Sequence, residues 1–201
     1  MRIYGISRCG KLVLNGDSMA LKFPVSFKRS KFKALVHYIC WSTQDDPARL
    51  GATKLNKVIW RAETLHYIAT KGGLLTGARF IKEKRGPVAA AMVPILEELV
   101  EEGKLEIRTV KVIDHWRTEY LTKAEPDIQS ISQDDIREVA DAIDEVCPMT
   151  ASAASLATHN EPWQLAELGE DLPLFTSLAL PAEITEADLR WADEKIAAMG
   201  A

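Results

Sequence analysis

Apolar residues recur at helical spacing along much of this chain. In "ATKLNKVIWRAETLHYIATKGG", Leu55, Val58, Ile59, Ala62, Leu65 and Ala69 fall on one face, with Thr53 placed to cap the helix and Gly72 to end it. A shorter helix is predicted over residues 30–41, where Phe32, Leu35, Val36 and Ile39 share a stripe before "STQDDPARLG" breaks the pattern. In "SQDDIREVADAIDEVC", Ser132 is the N-cap, acids fill the first turn, and Ile136, Val139, Ala140, Ile143 and Val146 form the buried stripe. Residues 149–158 are alanine-rich and helical in character. A last helix is expected from Thr185, with Asp188 at the third position and Leu189, Ala192, Ile196 and Met199 as its apolar face.

Between these lies "KRGPVAAAMVPILEELVEEG", a helical pattern in which Pro94 either opens the helix or bends it, and which Gly103 ends. The run after it, residues 105–123, has strand character with Asp114 and His115 near a turn. Leu105 and Ile107 are out of phase with Val110 and Val112, so the hairpin is expected to carry a bulge. The predicted fold is α+β: a mainly α-helical single domain with one small β-hairpin, locally winged-helix-like. Residues 1–29 are expected to be an N-terminal extension, loose before Met19 or preceding an alternative start there. Residues 30–180 form the domain and residues 181–201 a C-terminal helix.

Charge changes this picture more than composition does. The 201 residues are 47 % apolar, enough for one compact core. Residues 1–124 hold 22 Lys and Arg against 12 Asp and Glu, net +10, and residues 125–201 hold 3 against 17, net −14. Such asymmetry points to a nucleic-acid surface on the basic half, or to an acidic half that covers the basic one or a basic partner. Lys54, Lys57 and Arg61 follow one another at helical spacing, and this stripe is expected on an exposed, partner-contacting face. No run approaches the roughly 20 apolar residues of a membrane span. Cys9, Cys40 and Cys147 are odd in number and never form a CxxC, which fits reduced thiols in a cytoplasmic protein without a zinc site.

Catalytic signals are missing. The four histidines match no metal spacing, no GxSxG elbow surrounds a serine, and "TKGGLLTG" has neither phosphate-loop pattern. His66 lies beside an apolar stripe, where a packed or hydrogen-bonded ring is the expectation. The protein is therefore expected to bind rather than catalyse, with no cofactor and no metal. A winged-helix nucleic-acid regulator is a rival reading, resting on Lys28, Arg29, Lys31, Lys33 and the stripe. However, the helix between Pro87 and Glu102 has no basic residue, and Glu97, Glu98, Glu101 and Glu102 crowd its end, so phosphates would be repelled. Nucleic acid is disfavoured as a partner.

Four strings stand in a recognisable order: "KLNKVIWRAETLHY" at residues 54–67, "LTGARFIKEKRGPV" at 75–88, "ILEELVEEGKLE" at 95–106 and "THNEPW" at 158–163. Together they resemble the Panacea domain of SocA-like antitoxins, over about residues 30–180. The resemblance implies an antitoxin that neutralises a toxin protein, encoded next door, by direct contact. A variant role is that of an adaptor delivering the toxin to a cytosolic AAA+ protease. The family pattern falls on Lys54, Leu55, Asn56 and Lys57, on Gly86, Pro87 and Val88, and on His159 and Trp163, whereas Trp60, Arg61 and Arg85 depart from it. Lys54, Asn56, Lys57, Trp60, Arg61, Arg85, Gly86, Pro87 and Trp163 are thus candidate partner-binding residues, and Leu55, Val88 and His159 structural ones. Residue chemistry also allows a scaffold role: Gly86 before Pro87 suits a tight turn, Asn56 can tie a helix start to a loop, and His159 with Trp163 can lock a helix end.

Overall fold

The computed structural model describes residues 26–178 except residue 114, the strand segments at residues 6–7, 11–14 and 17–19, and residue 190. The three segments, β1 (Ile6–Ser7), β2 (Lys11–Leu14) and β3 (Asp17–Met19), pair as an antiparallel meander. The rest of the expected loose extension, and the helix expected from Thr185, lie outside the described residues.

Helix α1 (Arg29–Ser42) forms where predicted, and Phe32, Leu35, Val36 and Ile39 are fully buried. A 3-10 turn at Pro47–Arg49, capped by the Asp46 carboxylate, leads into α2 (Gly51–Ala69). Thr53 is not the cap: Leu50 holds that position without a side-chain bond, because the turn already delivers the backbone into the helix at Gly51, whose φ is +64°. The far end closes as expected, with Gly72 at φ +107° donating its N–H to the Tyr67 carbonyl at 2.8 Å.

The expected connector after α2 contains a second strand pair. Strands β4 (Phe80–Glu83) and β5 (Gly86–Ala89) pair antiparallel, Phe80 with Ala89 through Glu83 with Gly86. Pro87 hid this strand, since proline donates no ladder hydrogen bond; it is accommodated in a two-stranded ribbon where only one side is paired. Helix α3 (Met92–Glu101) follows, so the opening residues of the glycine-proline segment are strand and not helix. Pro94 sits in its first turn, where a missing N–H costs nothing. Met92, Ile95, Leu96 and Leu99 are its buried face.

The long hairpin is β6 (Leu105–Val112) with β7 (His115–Thr122), paired without interruption from Leu105 opposite Thr122 to Val112 opposite His115. The expected bulge is absent. Burial explains why: only Leu105 and Tyr120 are buried, so beyond the base neither face is compelled to point inward and the apolar phase carries no constraint.

Helix α4 (Gln133–Val146) opens with the predicted Ser132 cap, in a full capping box with Asp135. Its buried face is Asp135, Val139, Ala142, Ile143 and Val146, rotated slightly from the expected stripe, with Ile136 and Ala140 at the margin. It packs along α2 with the acidic half against the basic one: Lys31 to Asp135 at 2.9 Å, Arg61 to Glu145 at 2.7 Å, and His66 to Glu138 at 2.8 Å. Helices α5 (Ala151–Leu156) and α6 (Glu161–Leu165) complete the domain, with caps at Thr150 and Asn160. The result is a helix-dominated α+β domain with α2 at its centre. No helix among the described residues is long and apolar enough to cross a membrane.

Candidate functional site

The exposed basic stripe does not exist as such, and each of its members has an internal task. The Lys54 ammonium donates to the carbonyls of Arg49, at 2.7 Å, and Cys147, at 2.8 Å. Cys147 is the C-cap of α4, so Lys54 satisfies an orphan carbonyl there and places its charge at the negative end of that helix. Arg61 pairs with Glu145. Lys57 is 1 % exposed, and its Nζ donates to the Pro87 carbonyl at 2.9 Å. Burial alone pushes its pKa down, from 10.5 to about 7. Periodicity placed these residues on one face correctly; it could not show that α4 and the β4–β5 turn cover that face.

The β4–β5 turn is clasped from three sides. From α2 come Lys57 and Thr53, whose hydroxyl lies 3.4 Å from the Arg85 guanidinium. From α5 the Ser155 hydroxyl donates to the Arg85 carbonyl at 2.9 Å, and from α6 the Trp163 indole N–H donates to the Glu83 carbonyl at 3.3 Å. His159 stacks on Trp163 with ring centroids 3.6 Å apart and planes within 1°, and the Lys82 ammonium lies 4.3 Å over the Trp163 ring. Burial together with the positive charges of Lys57 and Lys82 holds the His159 pKa below its ordinary value, so the stacked ring stays neutral.

Gly86 is where this clasp closes. Its φ is +96°, and a Cβ there would collide with the Thr158 hydroxyl oxygen and stand 2.6 Å from Lys57 Nζ. Only glycine allows the lysine to run past the turn. Pro87 is buried beside it and Val88 is half-buried. Leu55 is in the core, and so is Trp60, packed edge-on to Phe80 at 4.9 Å, which removes Trp60 from any surface. The surface of the site is a cleft of about 320 Å³ between the first turns of α2 and the β4–β5 turn, lined by Thr53, Asn56, Lys57, Glu83, Lys84 and Arg85 among others.

Three groups of family-pattern residues, at 54–57, 86–88 and 159–163, thus converge on one turn although about 100 residues separate the first from the last. Residues 55–164 match the family described as antitoxin SocA-like, Panacea domain. The chain belongs to this family. No curated protein and no solved structure matches it. For a SocA-like Panacea domain, the family strings here serve first as the joint that locks α2, α5 and α6 onto the β4–β5 turn. Asn56, Lys84, Arg85 and the edge of Trp163 are the members of this joint left at the surface.

Sequence reasoning missed a second cluster. His66 Nδ1 lies 2.8 Å from the Glu138 carboxylate and 4.0 Å from that of Asp135, one ligand atom from each within 4.8 Å of the others. The residues come from two helices, so no local spacing announces them. Asp135 already accepts from Lys31, at 2.9 Å, and from the Ser132 N–H, at 2.7 Å, and the cluster acts as an interhelical charge network. His66 is hydrogen-bonded, as its position beside the apolar stripe suggested.

The basic residues assigned to a nucleic-acid surface are engaged as well. Lys28 donates to the Leu74 and Leu75 carbonyls, Arg29 pairs with Glu98, Lys31 with Asp135, and Lys33 with Glu98 and Glu102. Glu98 and Glu102 at the end of α3 therefore tie that helix to α1, which is a scaffold role.

Proposed function

We propose that this Panacea-domain protein is a cytoplasmic antitoxin that neutralises a toxin, the product of an adjacent gene, by binding it directly. The observation that carries this reading is the family match over residues 55–164, whose motif residues assemble into one joint with a polar cleft at the surface. Two further features support protein binding over nucleic-acid binding. The basic half is largely neutralised from within, and large apolar side chains stand exposed on the β6–β7 hairpin, Ile113 at 87 % and Trp116 at 67 %. Exposed apolar and aromatic groups of this kind suit the core of a protein interface.

The test is expression of the adjacent gene alone and together with this protein. Growth arrest by the first and relief by the second is the expected result; no arrest, or arrest without relief, overturns the reading. Toxin half-life in the same cells separates masking, which leaves it unchanged or longer, from delivery to a protease, which shortens it.

A further inference from the structure

The cleft beside the β4–β5 turn combines features that internal packing does not require. Lys57 lies in its floor as a nearly inaccessible amine, and no carboxylate lies within ion-pair distance among the described residues; a single carbonyl is its partner. An ammonium has three donors, and a buried cation without a counter-ion is a costly arrangement. Lys84 and Arg85 add two cations at the rim against one carboxylate, Glu83. The first turn of α2 opens onto the same cleft at Ala52 and Thr53 and has no side-chain cap on its free N–H groups. Asn56, which also lines it, has a buried Oδ1 with no donor among the described residues. Exchanging the two amide atoms would only set that oxygen against the Ala52 carbonyl, to which Nδ2 now donates at 3.1 Å.

The cleft therefore lacks two things: an anion to balance its excess of cations over Glu83, and a hydrogen-bond donor for Asn56 Oδ1. A phosphodiester backbone supplies the first and not the second, whereas an acidic residue within a polypeptide supplies both, through its side chain and its own N–H. We propose that this cleft seats an acidic residue of the protein partner, its carboxylate among Arg85, Lys84 and Thr53 above the buried Lys57 and its main-chain N–H toward Asn56 Oδ1. The proposal rests on the antitoxin reading for the identity of the partner. The carboxylate has two sources, an internal acidic residue or the terminal carboxylate of a polypeptide, and the probes below distinguish them.

Occupancy is readable at Lys57 itself. A carboxylate above it raises its titration midpoint from about 7. The other titratable groups around it, Lys82 and Glu83 on β4, Lys84 and Arg85 on the turn and His159 beyond α5, are present in both states. The experiment is NMR observation of the Lys57 ε-methylene in the full-length protein, titrated with acetyl-Ala-Glu-Ala-amide, its Gln counterpart, acetyl-Ala-Ala-Ala with a free carboxylate, and an oligothymidylate. The expected result is a saturable shift and a raised midpoint with a carboxylate peptide, lost in Arg85→Glu. The Glu peptide acting marks an internal acidic residue, and the free-terminus peptide acting marks a terminal carboxylate. An equal response to the Gln peptide, no response to either carboxylate, or a response to the oligonucleotide alone overturns the proposal.

In the complex, Arg85→Glu combined with Lys84→Glu is expected to weaken toxin binding about tenfold or more while melting as the wild type does. Wild-type protein that neutralises its toxin, with the double variant doing so equally well, ends the subsite and leaves the antitoxin reading standing. Wild-type protein that neutralises no toxin, with Lys57 still responding to the acidic peptide, does the opposite.

Discussion

Lys57 and Gly86 occupy the same space. A single methyl group on Gly86 would stand 2.6 Å from the lysine nitrogen, and the backbone there has φ +96°. The joint of the domain is therefore specified by a residue with no side chain and a residue whose charge is buried. Gly86→Ala is expected to destabilise the protein by about 2–3 kcal/mol, through backbone strain and displacement of the Lys57 amine from Pro87. Urea unfolding measures this, and a change within error would show that the turn can rearrange.

Lys57 also sets a pH dependence. Its pKa is 10.5 when exposed and about 7 when buried in the folded protein. Between these values the unfolded state holds a proton that the folded state has released, so this group favours folding increasingly as pH rises through the window. The penalty is full below pH 7 and vanishes near the unfolded value. Relative to Lys57→Met, the wild type should gain up to about 1.4 kcal/mol per pH unit between pH 7 and pH 10. The slope is the prediction, because Met also strips the Pro87 carbonyl of its donor and adds a constant offset. Cys40 and Tyr120, both pushed up by burial, act in the opposite sense at alkaline pH but are common to both proteins. A difference that stays flat with pH would contradict the buried amine.

Asp135 carries two structural duties, capping α4 at Ser132 and pairing with Lys31 at 2.9 Å. Burial opposes its charge, yet the bonds from Lys31 and Ser132 outweigh burial and leave its pKa below the ordinary carboxylate value. Its contribution is thus present above the unfolded carboxylate pKa and lost as pH falls through the folded one. Asp135→Asn should cost about 2–3 kcal/mol at pH 7, with the difference from wild type shrinking in acid. Guanidinium unfolding at pH 7 and pH 3 checks both.

Trp116 separates stability from binding. It is 67 % exposed on β7, opposite Lys111, and outside the core cluster. Trp116→Ser should leave the melting temperature almost unchanged, within about 0.5 kcal/mol. Toxin binding that weakens in this variant would place the hairpin in the interface, and a large loss of stability would mean that the hairpin is braced in a way its exposure does not show.

The helices were legible in the sequence because each buries a stripe at 3.6-residue spacing, and Phe32, Leu55, Val139 and their neighbours are where that period puts them. The β4–β5 pair was not legible: four-residue strands leave little period, and Pro87 speaks against a strand. The hairpin bulge was over-read, since phase matters only where a face is buried and β6 is mostly in water. At the site, the family strings named residues that the fold brings together around one turn, but Lys57, expected at the surface, is buried, and Lys54 and Arg61 are half-buried and engaged with α4. A basic stripe looks the same in sequence whether water or a folded partner helix covers it. What was legible was the charge asymmetry, part of which is used where acidic side chains of α4 meet Lys31, Arg61 and His66.

Direct binding is the central claim, and purified protein mixed with the purified product of the adjacent gene tests it without cells or proteases. The account predicts that the two co-elute as a complex of fixed stoichiometry by size exclusion with light scattering, and that the toxin's activity is lost in step with complex formation. Separate elution at micromolar concentrations, with the toxin fully active, would contradict it.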